Sequence, residues 1–256
     1  MKDLGEAQFV LGIQIFRDRK NKMLALSQAS YIDKIVVKYS MQNSKRGLLP
    51  FRHGVTLSKE QCPKTPQDVE EMRHIPYASA VGSLMYAMLC TRRHLCGGDR
   101  YTDSDFQTDR DSRKSTSGSV FILNGGAVVW RSIKQGCIAD STMEAEYVAC
   151  EAKEVIWLRN FLIDLEVVPN MSKPITLYCD NSGAVANSRE PRSHKRGKHI
   201  ERKYHLIREI VHRGDVIVTQ IASTHNVADP FTKPLTAKVF EGHLESLGLR
   251  DMPHLT

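Results

Sequence analysis

Hydrophobic and polar positions follow two patterns along this chain. Residues 5–27 read as two short strands about a turn: FVLGIQIF, the polar RDRKNK with Asn21 at the turn, then MLALS. From Ser27 to Met41, Tyr31, Ile32, Ile35, Val36 and Tyr39 recur at helical spacing. Residues 43–76 hold Pro50, Pro63, Pro66 and Pro76 among polar residues, which predicts a linker or meandering loop. Tyr77–Cys90 predicts a helix of small residues able to pack closely, and RRHLCGGDR (92–100) breaks it abruptly.

After Tyr101, short apolar runs give way to helical patterns. Tyr101–Phe106 predicts a strand, Ser119–Leu123 and Ala127–Ser132 a hairpin across Asn124-Gly125-Gly126, and Gly136–Asp140 a further short strand. Ser141 or Thr142 can cap one long helix to about Leu165, with Ala145, Val148, Ala149, Ala152, Val155, Ile156, Leu162 and Leu165 on its buried stripe. Ile175–Cys179 predicts a strand ending at Asp180, and Asn181 or Ser182 caps a short helix. A basic helix over about His199–His212, a last strand at Asp215–Ile221 and a terminal helix opening at Ala228–Leu235 complete the pattern. Strands gathered first and then alternating with helices imply an α/β class, a mixed sheet flanked by helices.

Composition narrows the class. With 256 residues, 41% hydrophobic and 25% charged, the chain is globular rather than disordered or fibrous. Tyr77–Cys90 falls short of the roughly 20 apolar residues that span a bilayer, so no membrane partner is expected. MKDLGEAQF lacks a basic-then-apolar leader, and six cysteines occur without a CxxC pair. Both features predict an intracellular, non-secreted protein with reduced thiols.

Charge is uneven. The net +7 lies wholly in residues 1–98, with 15 basic and 8 acidic residues, whereas 99–256 carries 21 of each. Within the neutral part, Arg189–Arg213 holds nine basic residues against Glu190, Glu201 and Glu209. Such a run is either a solvated helix face or a strip that binds a polyanion.

Four acids stand at element ends that a mixed α/β sheet can bring together: Asp103, Glu146, Asp180 and Asp229. Three or four carboxylates in contact must either raise their pKa values or hold hard divalent cations. Two such ions can activate a water and stabilise the leaving oxygen of a phosphodiester. Each acid taken alone could equally be a helix cap or a solvated surface group. Trp130 and Trp157 read as core, and Ser115, Thr116 and Ser117 as turn formers. His194, His199 and His205 have no cysteines at zinc-ligand spacing and read as packing or phosphate contacts.

The segments YTDSDF (101–106), RKSTSG (113–118), STMEAEYVA (141–149), LYCDNSGAV (177–185), KHIERKYHLIRE (198–209) and VADPFTKPL (227–235) resemble, in order, the ribonuclease H domain of copia-type retrotransposon polyproteins. MKDLGEAQFVLGIQI (1–15) and YASAVGSLMYAMLCTR (77–92) resemble the trailing part of the reverse transcriptase in the same polyproteins. The resemblance implies a ribonuclease H-like fold, a five-stranded mixed sheet with its first three strands antiparallel. It implies a reverse transcriptase remnant over 1–98, a ribonuclease H-like domain over 99–240 and a tail over 241–256. The implied activity is hydrolysis of the RNA strand of RNA–DNA hybrids, leaving a 3′ hydroxyl and a 5′ phosphate. Two Mg2+ ions, or Mn2+, would be held by Asp103, Glu146, Asp180 and Asp229, with His225 assisting proton transfer or product release.

Asp105 lies on the same strand face as Asp103 and is the substitute first carboxylate. Glu144 sits about 200° around the helix from Glu146, so only one of the two can face the site. Asn181 could sense the 2′-hydroxyl or cap a helix. Arg192, Lys195, Arg196, Lys198, Arg202 and Lys203 would follow the hybrid's backbone without sequence preference. The rest of the polyprotein is a further implied partner, and cytoplasm, virus-like particle or nucleus the implied location.

Departures from the family pattern matter too. No Asp-Asp dipeptide occurs, so DNA synthesis is not expected. Only RHLCGGDR joins LCTR to YTDSD, which implies an internal deletion that removes the apolar lead-in of the first strand and threatens the placement of Asp103. A silent nucleic-acid-binding remnant is therefore the competing reading. An integrase-type nuclease fits poorly, because here the glutamate comes second among the acids.

Overall fold

The computed structural model describes residues 5–21, 23–45, 47–50, 52–90, 98–123, 125–150, 153–164, 174–190 and 206–249. They fall into two compact units, one within 1–48 and 61–93, the other within 49–60 and 94–250. Among the described residues no helix is long and apolar enough to cross a membrane.

The first unit opens with β1 (Phe9–Val10), β2 (Ile13–Asp18) and β3 (Met23–Ser27), an antiparallel sheet in that order. Val10 pairs with Ile13 across Leu11 and Gly12, which both have positive φ, a tight turn absent from the sequence expectation. Helices α1 (Ala29–Lys38), α2 (Pro66–Arg73) and α3 (Tyr77–Cys90) follow. The loop expected over 43–76 contains α2 because Thr65 and Asp68 form a reciprocal capping box ahead of Pro66. Tyr31 of α1 meets Tyr86 of α3 edge-on at 4.9 Å. Ala25 and Gln28 are the only described residues of this unit that are buried.

The second unit is built on β4 (Gly98–Asp105), β5 (Thr116–Leu123), β6 (Gly126–Lys134), β7 (Ile175–Cys179) and β8 (Val216–Gln220), in spatial order β6-β5-β4-β7-β8. The first three strands are antiparallel and β7 and β8 run parallel to β4. This is the five-stranded mixed sheet, its first three strands antiparallel, that the resemblance implies. The alternation of β5 builds both layers, with Phe121 and Leu123 in one core and Val120 and Ile122 in the other. Helices α4 (Thr142–Ala149), α6 (Ser182–Arg189) and α7 (Leu206–His212) supply the first core with Tyr147, Val148, Ala184, Val185, Ile207 and Ile210. Val227, Ala228, Phe231 and Leu247 close the second.

The structure corrects several expectations. The strand expected to lose its lead-in extends back to Gly98 and pairs with β5 along its whole length, Gly98 with Leu123 through Asp105 with Thr116. Polar Asp99 and Arg100 thus occupy strand positions, with Arg100 buried and burial raising the Asp99 carboxyl. Backbone pairing does not require apolar side chains, so the strand forms without them.

Residues 136–140 are not a strand; β6 already serves as the third. The expected long helix is α4 followed by α5 (Lys153–Asp164), since Cys150 leaves helical geometry as the α4 C-cap. Trp157 is 66% exposed rather than core and stacks on Phe161 at 5.4 Å. The expected terminal helix at 228–235 is instead a 3-10 turn at Asp229–Phe231, and α8 (Ala237–Ser246) begins after Thr236. Residues 241–249, expected as a tail, pack on the sheet: His243 and Leu247 are buried and the Leu247 carbonyl accepts the Ala127 N–H.

Candidate metal centre

Asp103 stands in the central strand, flanked on both sides by paired strands, and is 1% exposed. Its register partner on β5 is Gly118, where an added Cβ would lie 2.6 Å from Thr232 Cγ2 and 3.1 Å from the Ala228 carbonyl. The missing side chain lets the Asp229–Phe231 turn approach the strand. Asn226 fastens that approach: its Nδ2 donates to the Thr102 carbonyl at 2.8 Å while its Oδ1 accepts the Ala228 N–H at 3.2 Å. Gly118→Ala is expected to lower stability by about 1–3 kcal/mol through overpacking, read as a drop in the urea midpoint.

Glu146 arrives from α4. Ser141 caps the helix by accepting the Glu144 N–H, and Glu144 turns back to accept the Asp140 N–H at 2.7 Å. Two residues on, Glu146 faces the sheet, where its Oε1 accepts the Ser104 N–H at 3.0 Å. Gln135 anchors the helix to the hairpin, its Nε2 donating to the Ser117 hydroxyl and the Ala145 carbonyl, each at 2.8 Å. Asp180 follows β7 directly, and Asn181 caps α6 by accepting the Ala184 N–H at 3.0 Å.

Oxygens of Asp103, Asp180 and Asp229 lie within 4.8 Å of one another, as do ligand atoms of Glu146, Cys179 and Asp180. Asp180 belongs to both trios, so all four sequence-predicted acids converge. Asp105 is half-buried and belongs to neither, which leaves Asp103 as the first carboxylate of the cluster.

Crowding and burial shift protonation. Glu146 is pushed up to about 10 by burial first, then by Cys179, Asp103 and Asp180. Asp229 is raised to about 7, again by burial first and Asp103 second. The Cys179 thiol, beside Cys150 and 3.9 Å from Glu146 Oε2, is driven far above its ordinary range.

Two partners of the cluster escaped the sequence reading. Thr232 donates its hydroxyl to Asp103 Oδ2, and Lys233 Nζ lies 3.4 Å from Asp103 Oδ2 and 3.2 Å from Asp229 Oδ1. The available signal was the four-residue interval from Asp229 to Lys233 within DPFTK, which places a cation one turn from an acid.

The remaining candidates are placed differently. His225 is exposed at the end of a 3-10 turn four residues before Asp229. Arg192, Lys195, Arg196, Lys198, Arg202 and Lys203, with His194, His199 and His205, lie outside the described residues. Of the same basic run, Arg208 is buried rather than exposed, bonded to the Asn187 carbonyl at 3.0 Å and lying over the Tyr147 ring.

The chain is 38% identical over 294 aligned positions to the retrovirus-related Pol polyprotein from transposon TNT 1-94 of Nicotiana tabacum, covering 97% of this chain and 22% of that protein. It is 28% identical to the polyprotein from transposon RE1 of Arabidopsis thaliana, over 99% of this chain and 20% of that one. The chain thus spans about a fifth of the length of these curated relatives. A solved ribonuclease H1 isolated from compost by a metagenomic approach aligns with 53% of this chain and 91% of its own, at 17% identity and a TM-score of 0.38. No protein-family model matches.

Proposed function

We propose that this chain, which belongs to the retrovirus-related Pol polyproteins of copia-type transposons, carries the ribonuclease H of such a polyprotein in its second unit. The proposed reaction is endonucleolytic hydrolysis of the RNA strand of an RNA–DNA hybrid, leaving a 3′ hydroxyl and a 5′ phosphate. The observation that carries this reading is the convergence of Asp103, Asp180 and Asp229, with Glu146 joined through Asp180.

The donor set suits a hard cation: four carboxylates provide oxygens, and the Glu146 and Asp229 carboxyls are raised by burial first and by the neighbouring acids second, a repulsion that a bound cation would relieve. Two divalent ions such as Mg2+ or Mn2+, held by Asp103, Glu146, Asp180 and Asp229, would supply a nucleophilic water and stabilise the leaving oxygen. The chain's own groups supply the rest. The central strand fixes Asp103, and the Ser104 N–H aims Glu146 toward it. Asn181 has its Oδ1 committed to the α6 cap, leaving Nδ2 to meet a 2′-hydroxyl. His225, exposed four residues before Asp229, would assist proton transfer or product release. The basic run through Lys203 would track the hybrid's phosphates, giving affinity that falls with salt.

The full pairing of β4 supports an active domain over a silent remnant. We assign 99–249 to the nuclease and 1–98 to a partial reverse transcriptase segment. That segment exposes Leu84, Met85, Tyr86 and Met88 of α3, apolar surface suited to the rest of the polyprotein. No polymerase activity is proposed. Magnesium-dependent cleavage of a labelled hybrid tests the assignment, and salt-sensitive hybrid binding without turnover would replace it with the remnant.

A further inference from the structure

We infer that Lys233 is the built-in counter-ion of the carboxylate cluster, and that a divalent ion loads by displacing its ammonium from between Asp103 and Asp229. This rests on the cluster being a metal centre, and it adds a residue that sets how readily the centre fills. Asp103 and Asp229 are 1% and 6% exposed. Carboxylates so deeply placed can carry charge only with positive charge nearby, and Lys233 Nζ lies 3.4 Å and 3.2 Å from their oxygens. Lys233 supplies that charge when no metal is bound.

The same contact opposes loading, because an ammonium and a divalent ion would share the same oxygens. Lys233 is suited to yield. Its side chain is 33% exposed, so the head can swing toward solvent on its flexible stem without disturbing Thr232, which holds Asp103 independently. A lysine that served only as a permanent structural salt bridge would neither compete with metal nor change its exposure when metal binds.

The first measurement uses the whole chain with Mn2+ alone, without nucleic acid, titrated by calorimetry. Lys233→Gln is expected to bind Mn2+ roughly tenfold more tightly than the unaltered chain, and Lys233→Arg to return binding to near its original strength. Equal or weaker binding by Lys233→Gln overturns the inference while leaving the metal centre standing. Absence of Mn2+ binding in every folded form overturns the metal centre and the inference with it.

The second measurement needs no variant. Amine acetylation of the unaltered chain, read by mass spectrometry, should modify Lys233 several-fold faster with Mn2+ present than without. Unchanged or slower modification contradicts displacement.

Discussion

Asp103→Asn is expected to reduce cleavage of the RNA strand by about a thousandfold or more, while the protein unfolds at nearly its original urea midpoint. The two halves of this expectation come from different contacts. Asp103 is the cluster acid held in the central strand, and its oxygens share the 4.8 Å trio with Asp180 and Asp229. An amide there removes a negative oxygen from the set proposed to hold the cations. Stability changes little because Asn can still accept the Thr232 hydroxyl, and losing the Lys233 pairing is offset by relief of repulsion with Asp229. Cleavage is read on a labelled hybrid and folding by urea titration. Retained cleavage in a folded variant would remove Asp103 from the reaction.

Glu146→Gln, by contrast, is expected to raise stability. The folded carboxyl is raised from 4.5 to about 10, so between those values the folded chain holds a proton that the unfolded chain has released. The folded state then binds more protons, and stability without divalent ions falls as pH rises through that window. Asp229, raised from 3.8 to about 7, adds to the fall over the lower part of the range. Glutamine stays neutral throughout, so the variant should show a flatter profile. Near pH 8 it should be more stable than the unaltered chain by on the order of a few kcal/mol, and inactive. Urea midpoints measured from pH 5 to pH 9 decide it: parallel profiles for the two proteins would mean that Glu146 is not held protonated by the fold.

The four acids were legible as candidates because each sits inside a short motif, with YTDSDF read as a strand, MEAEY on a helix and YCDN at a strand end; Asp229 was expected to open a helix and instead lies in a 3-10 turn. Asp103 and Asp105 share a strand face, so periodicity did not separate them; the resemblance favoured Asp103, and it is Asp103 that joins the cluster. Helical rotation allowed only one of Glu144 and Glu146 to face the site, the resemblance favoured Glu146, and Glu144 instead accepts the Asp140 N–H.

The misses are mostly tertiary. Lys233, Thr232 and Asn226 matter because the 226–233 segment folds over the β4–β5 pair, and no local pattern encodes that crossing. Trp157 was read as core from residue type, yet on α5 it stacks outward on Phe161. The α2 capping box was local and could have been found: Thr65, Pro66 and Asp68 spell a helix start that the surrounding prolines masked. The fears for the first strand came from treating apolar side chains as necessary for pairing, whereas backbone bonds to β5 suffice.

The most direct test of the carboxylate centre is one gel. The unaltered 256-residue chain is incubated with an RNA–DNA hybrid labelled on the RNA strand, with Mg2+ and with a chelator in its place. Shortened RNA carrying 3′ hydroxyl ends, formed with Mg2+ and absent with chelator, is the expected result; intact RNA in both lanes, or cleavage that persists in chelator, would contradict it.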